Sequence, residues 1–266
     1  MNYLTSLLQD LPLYLLSLPV LLLAFSIHES AHGYVAYRLG DPTARSLGRL
    51  TLNPVKHIDP IGFICMMIFH VGWAKPVPIN TRYFKNPKRD MALTGAAGPL
   101  SNLALALIHL IILRITMFFV TPAFRAEAGE TLFGMVNSAI AGGPYKASLN
   151  FTVMSIVIYL LYLGIIMNIS LAIFNLIPIP PFDGSRIFYA VLPQKLYWGV
   201  MKYERIIMIV MLVLFATGFL SGPLSWLLSK IAQGLFFLTG LDSGDAGGVL
   251  NTMIIYIQQL LTLAFA

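Results

Sequence analysis

Long apolar runs constrain this chain more than any other feature. Four of them, Leu11 to Ser26, Met91 to Leu113, Ile206 to Ser229 and Ala246 to Ala266, contain no Asp, Glu, Lys or Arg, and a fifth, Phe151 to Ser185, holds Asp183 alone. A helix needs about 20 residues to cross the hydrocarbon of a bilayer, and inside it every backbone N–H and C=O must be satisfied by the protein itself. The sequence therefore reads as an all-α, polytopic membrane protein. Composition agrees, since 58% of the 266 residues are hydrophobic and 11% charged, against about 25% charged in an ordinary water-soluble domain. A soluble enzyme is excluded. The net charge of +6 does not indicate nucleic acid, because Lys and Arg sit between the apolar runs and not along one helix face or in a tail. Cys65, the single cysteine, cannot form an intramolecular disulfide. The run from Leu11 to Ile27 follows Asp10 and not a basic segment, so it does not read as a cleavable signal peptide.

The basic residues predict the orientation. More than half of the 17 Lys and Arg lie from Arg38 to Arg89, and a second group is Arg186, Lys195, Lys202 and Arg205. By the positive-inside rule both groups are cytoplasmic. The first helix then runs inward, the Met91 helix outward and the Phe151 helix back, with Arg114 to Asn150 outside. The piece from Ile61 to Ala74 is too short to span, and its two ends share the cytoplasmic side, so it is expected to be re-entrant or to form a short β-hairpin element. Gly222-Pro223 interrupts the run after Ile206, which predicts either a spanning helix followed by an interfacial one or a tight hairpin. About six helical segments result. With no repeat and no loop long enough for a separate unit, residues 1–266 are expected to form a single membrane-embedded domain, its core over about 9–186 and its C-terminal helices over about 204–266.

Chemistry is concentrated in the first helix, which reads His28-Glu29-Ser30-Ala31-His32, an H-E-x-x-H. At 3.6 residues per turn the two histidines stack on one face and both imidazoles reach one tetrahedral Zn²⁺. Glu29 is rotated by about 100° from His28, which suits contact with a metal-bound water more than with the metal. Ionisable groups at bilayer depth cost roughly 2.5 kcal/mol or more each unless they face a partner or a cavity. Three of them within two turns therefore argue for a built site. From His28 to Arg38, the first clear cytoplasmic charge, the helix rises about 15 Å, so the site is expected inside the membrane toward its cytoplasmic side.

A catalytic zinc needs a third protein ligand and an open position. Few candidates exist in so apolar a body. The Phe151 helix ends in Asn175-Leu176-Ile177-Pro178-Ile179-Pro180-Pro181-Phe182-Asp183-Gly184, and its prolines stop the helix. Irregular backbone at that depth is tolerated where it is buried or lines a wet cavity. Asp183 is the best third ligand on this ground; alternatively Asp183-Gly184 is a cytoplasmic turn before Arg186.

The H-E-x-x-H in a transmembrane helix, then Gly98-Pro99-Leu100-Ser101-Asn102, then Asn175-x-x-Pro178-x-x-x-x-Asp183-Gly184, together resemble the site-2 protease family of intramembrane zinc metalloproteases. The match runs from about Leu21 to Arg186 and keeps the family's order of motifs. It implies that His28, His32 and Asp183 bind Zn²⁺ and that Glu29 is the general base that activates water and then protonates the leaving amine. Asn102 and Asn175 match the family's paired asparagines, which implies contact with substrate backbone or with the oxyanion; each is equally read as an interhelical hydrogen bond.

The segments Asn53 to Gly62 and Gly72 to Pro78 resemble the compact branch of that family, which lacks an inserted PDZ-like domain. Strands flanking the re-entrant piece would offer an edge to an unwound substrate. His57 is either an accessory ligand or gate, or, with Asp59, makes local hydrogen bonds that shape the loop. His70 and His109 carry no motif and read as structural. The resemblance implies a multi-pass protein of a bacterial cytoplasmic membrane whose partners are the lipid bilayer and transmembrane protein substrates cleaved in regulated intramembrane proteolysis. Two other readings compete. A metal-dependent transporter would need a polar path through the membrane, whereas the polar groups cluster toward one side; a non-catalytic zinc-binding scaffold would have no use for Glu29. Substrate identity and oligomeric state are not legible in the residues.

Overall fold

The computed structural model describes residues 3–62, 74–119, 149–180, 182–193 and 221–238, with isolated positions between 202 and 219. Among the described residues the protein is helical: α1 (Tyr3–Arg38), a short α2 (Thr43–Ser46), α3 (Pro87–Phe119), α4 (Leu149–Leu176), α5 (Gly184–Val191) and α6 (Ser221–Leu238). Three stretches, Leu15–Arg38, Pro87–Thr116 and Ile156–Leu176, are long and apolar enough to cross a membrane, and they are the first three runs expected from the sequence. Of the run after Ile206, the part from Ser221 onward lies in α6, so Gly222-Pro223 falls in the first turn of a helix. Proline is tolerated in a first turn because its missing N–H would have no intrahelical partner there. The expected segment Ala246 to Ala266 lies outside the described residues, as does most of Ile61 to Ala74.

What flanks that last piece is described. Ile58 and Ala74 form an isolated antiparallel bridge, and the Lys75 N–H donates to the His57 carbonyl at 2.8 Å. No strand extends from it among the described residues. Pro54 and Pro60 on one side and Pro76 and Pro78 on the other lack the N–H groups that a ladder needs.

α3 packs against α1, α4 and α5, and α1 also meets α4. On α3 the residues Asn102, Ala106, Leu110 and Leu113, at helical spacing, are buried, while Ile108, Ile111, Ile112 and Ile115 are exposed. An exposed stripe that is apolar and a buried stripe that carries Asn is the reverse of a helix in water. It suits a helix whose outer face meets lipid. Polar groups gather inside: Thr94, Asn102, Asn168 and His57 stand among the largest fully buried side chains beside Leu110, Leu163, Ile165, Ile166 and Ile169.

The connections between α1, α2 and α3 are held by buried carboxylates. After α1, Asp41 is fully buried; its Oδ1 accepts from the N–H of Thr43 at 3.0 Å and from the Thr43 hydroxyl, and its Oδ2 accepts from the N–H of Asn80 at 2.7 Å. One carboxylate thus starts α2 and ties it to the segment that leads into α3. α3 begins at Pro87, and Asp90 in its first turn reaches back to accept from the Asn86 N–H at 3.0 Å, a reciprocal cap that satisfies a donor left over at the helix start.

Candidate metal centre

α1 continues as a regular helix through His28 and His32 to Arg38, so the two imidazoles stand one turn apart as their spacing requires. They are each 4% exposed. The third group arrives from the far end of α4. That helix stops at Leu176, where Pro178 removes an N–H and its ring blocks continuation; the chain turns, and α5 starts at Gly184. A Cβ on Gly184 would fall 2.5 Å from the carbonyl oxygen of Ile177 and nearer still to that of Leu176. Only glycine lets α5 begin so close to the end of α4, and this close return turns Asp183 toward α1.

The outcome is a triangle. His28 Nε2 and His32 Nε2 are 3.0 Å apart, and Asp183 Oδ2 lies 3.0 Å from each. These three form a group able to hold a metal ion. The separations fit: zinc at about 2.0–2.2 Å from tetrahedral N and O ligands needs them roughly 3.3–3.5 Å apart, so the cluster has to open by only a few tenths of an ångström.

Hydrogen bonding around the triangle makes the fit chemical as well as geometric. His32 Nδ1 lies 2.6 Å from the Thr94 carbonyl oxygen, which can only accept, so Nδ1 carries the proton and Nε2 offers a lone pair. His28 Nδ1 lies 2.5 Å from Asn102 Oδ1, which asks for the same tautomer. Two lone pairs and a carboxylate oxygen packed together out of water repel one another unless a cation lies among them. α3 leaves room for it at Gly98: a Cβ there would stand 2.6 Å from His28 Nε2, and closer to His32 Nε2. The remaining Asp183 oxygen, Oδ1, faces the Arg186 guanidinium at 3.6 Å.

Glu29 is half-buried and does not join the triangle. Its Oε2 accepts from the Val77 N–H at 2.8 Å. Val77 belongs to an irregular segment held from three directions, since Lys75 donates to His57 as above, the Lys75 carbonyl accepts from Arg49 Nη2 at 2.7 Å, and Val77 itself binds Glu29. The carboxylate next to the first histidine is therefore steadied by the backbone of this segment.

The other candidates are placed as follows. Asn102, fully buried, stands beside His28 and also donates through Nδ2 to Asn168 Oδ1 at 2.7 Å. Asn175 donates to the Leu171 carbonyl of its own helix at 2.9 Å. His57 stands apart from the triangle; its Nε2 lies 2.7 Å from the Thr51 carbonyl and 3.5 Å from Ser30 Oγ, and Asp59 accepts from the Gly62 N–H at 2.8 Å. His109 binds the Leu105 carbonyl one turn back at 2.8 Å, and His70 lies outside the described residues. Two contributors escaped the sequence reading. Thr94 acts through its carbonyl, which no side-chain pattern reveals. Asn168 did carry a signal, as a polar residue inside an apolar helix.

The chain is 39% identical over 197 residues to "Putative zinc metalloprotease YwhC" of Bacillus subtilis, covering 74% of this chain and 78% of that one. It is 26% identical over 238 residues to Rip2 of Mycobacterium tuberculosis, which carries the same description, covering 86% of this chain and 76% of that one. No solved structure matches significantly. The family model of peptidase family M50 matches residues 16–221, a span that contains α1 from Leu16, the whole of α3 and α4 and the turn that carries Asp183, so the chain belongs to peptidase family M50.

Proposed function

We propose that this metalloprotease is an intramembrane zinc endopeptidase that hydrolyses peptide bonds within or at the edge of transmembrane segments, with a role in regulated intramembrane proteolysis. The observation that carries the reading is the buried triangle of His28, His32 and Asp183 on helices long and apolar enough to span, with Glu29 one residue from the first ligand. Zn²⁺ held by the three supplies a Lewis acid that polarises the scissile carbonyl and acidifies the attacking water.

The chain's own residues do the rest. Glu29 takes a proton from the attacking water at its carboxylate and returns it to the leaving amine, a general acid–base role. The Val77 N–H holds that carboxylate in place. Asn102 keeps His28 in the tautomer whose Nε2 can ligate, and the Thr94 carbonyl does so for His32. Helix α1 continues regularly from His28 to Arg38, a rise of about 15 Å, which supports a site below the cytoplasmic surface of a bacterial plasma membrane. A helical substrate has its carbonyls hydrogen-bonded, so it must unwind locally before attack. The irregular segment from Ala74 to Asn80, beside Glu29, is where an extended chain would lie.

The test compares purified wild type with Glu29→Gln. Bound zinc is measured in each, and each is incubated with single-span substrates, with and without a chelator. Equal zinc, cleavage by wild type alone and loss of cleavage on chelation are expected. Wild-type protein without stoichiometric zinc refutes the reading, and so does cleavage by Glu29→Gln at the wild-type rate.

A further inference from the structure

We infer that Asn168, in the middle of α4, is a positioning residue that sets the tautomer of His28 and thereby the metal affinity of the centre; the inference rests on the proposal that His28 holds zinc. Asn168 and Asn102 are both fully buried, so neither amide exchanges partners with water. Their orientations follow from one fixed point. The Gly164 carbonyl is an acceptor and nothing else, and Asn168 Nδ2 donates to it at 2.7 Å. That leaves Asn168 Oδ1 facing α3, where an acceptor can be met only by a donor. Asn102 must therefore present Nδ2, and it does so at 2.7 Å. Its Oδ1 is then turned to α1, where it meets His28 Nδ1 at 2.5 Å. An oxygen at that position requires Nδ1 to carry the proton, which leaves the Nε2 lone pair for the metal side.

Every link in this relay is directional, and each helix of the core supplies one member. Without Asn168 the acceptor left for Asn102 Nδ2 among the described residues is the Ala24 carbonyl, at 3.4 Å. Rotated by half a turn, Asn102 would offer Nδ2 to His28 Nδ1. That orientation stabilises the opposite tautomer, with the proton on Nε2, which cannot ligate. His32 has no such dependence, because its Nδ1 partner is a backbone carbonyl. Outer partners of metal-bound histidines typically change metal affinity by about 10–100-fold when they are lost.

The experiment uses the full chain in detergent. Zinc affinity is measured by chelator competition for wild type, Asn168→Leu, Asn168→Asp and Ile169→Ala, and the His28 tautomer is read by ¹⁵N NMR of metal-free wild type and Asn168→Leu. Ile169 is a fully buried neighbour on the same helix with no polar atom, so its truncation reports packing damage alone. The expected result is a loss of about 10–100-fold in zinc affinity for Asn168→Leu, partial recovery in Asn168→Asp, whose protonated carboxyl can accept from Asn102 and donate to Gly164, and less change in Ile169→Ala. Metal-free wild type is expected to carry the His28 proton on Nδ1. Equal losses in Asn168→Leu and Ile169→Ala, wild-type affinity in Asn168→Leu, or a His28 Nδ1 without a proton in metal-free wild type would overturn the inference. Wild type that binds no zinc overturns the metal centre itself, and a zinc-loaded protein that cleaves nothing bears on the protease reading alone.

Discussion

Replacing Gly98 by Ala adds one methyl at the place where α3 faces the triangle. The added carbon would stand 2.6 Å from both Nε2 and Cε1 of His28, where ordinary contact begins at 3.4 Å. The shortfall of about 0.8 Å has to be met by moving an imidazole or by separating α1 from α3, and a metal site tolerates ligand displacements of only about 0.2 Å. The shift is thus about four times the tolerance. Overpacking of this kind costs about 1–3 kcal/mol, and the better helix propensity of Ala returns up to about 1 kcal/mol, so the protein is expected to stay folded. Zinc affinity is expected to fall by at least about 100-fold, equivalent to about 2.8 kcal/mol. Chelator competition on the purified protein measures it, with thermal unfolding in parallel. Gly234→Ala is the control, because nothing lies within 4 Å of a Cβ there. Gly98→Ala that binds zinc stoichiometrically with wild-type affinity would falsify the placement of the metal against α3.

Further outcomes follow from the same geometry. Glu29→Gln is expected to keep zinc and to lose about 10²–10⁴-fold in cleavage rate, the usual worth of a general acid–base group; a lost zinc content would instead make Glu29 a ligand. Removing zinc should lower the thermal midpoint, by an amount that corresponds to about 2.7 kcal/mol when free zinc is 100 times its dissociation constant; a midpoint independent of zinc concentration would count against a site filled in the folded state. Asp41→Ala leaves the Thr43 and Asn80 N–H groups without their acceptor and is expected to destabilise by about 1–3 kcal/mol in denaturant unfolding, with Asp41→Asn retaining part of the loss. Asn175→Ala breaks only a bond to its own helix. It should leave zinc binding unchanged, so a fall in cleavage at full zinc occupancy would assign Asn175 to the substrate, and unchanged cleavage would remove it from the site.

The helices that build the site were legible for a simple reason. Charge-free runs long enough to span have few alternatives to helix in a bilayer, and α1, α3 and α4 fall on the first three of them. H-E-x-x-H was equally legible, because helical spacing alone stacks His28 over His32. The segment around Asn53 to Pro78 was less so. Among its described residues the pairing is one bridge between Ile58 and Ala74, and whether residues far apart in sequence pair there depends on contacts that no local pattern encodes.

Asp183 marks the boundary between the two kinds of information. By itself the sequence determined that the chain lives in a membrane, that two histidines share a helix face, and that the prolines after Asn175 end a helix near an aspartate. Those are consequences of composition and local periodicity, and they hold whatever the rest of the chain does. Only the tertiary structure decided that this aspartate, 151 residues beyond His32, closes the triangle, that Glu29 is held by Val77, and that the Thr94 carbonyl and the Asn102 amide, itself bonded to Asn168, lie against the Nδ1 atoms of the two imidazoles. Each of those facts requires segments distant in sequence to approach within hydrogen-bonding distance, and at the triangle the approach depends on backbone close to Gly98 and Gly184 where a side chain would not fit.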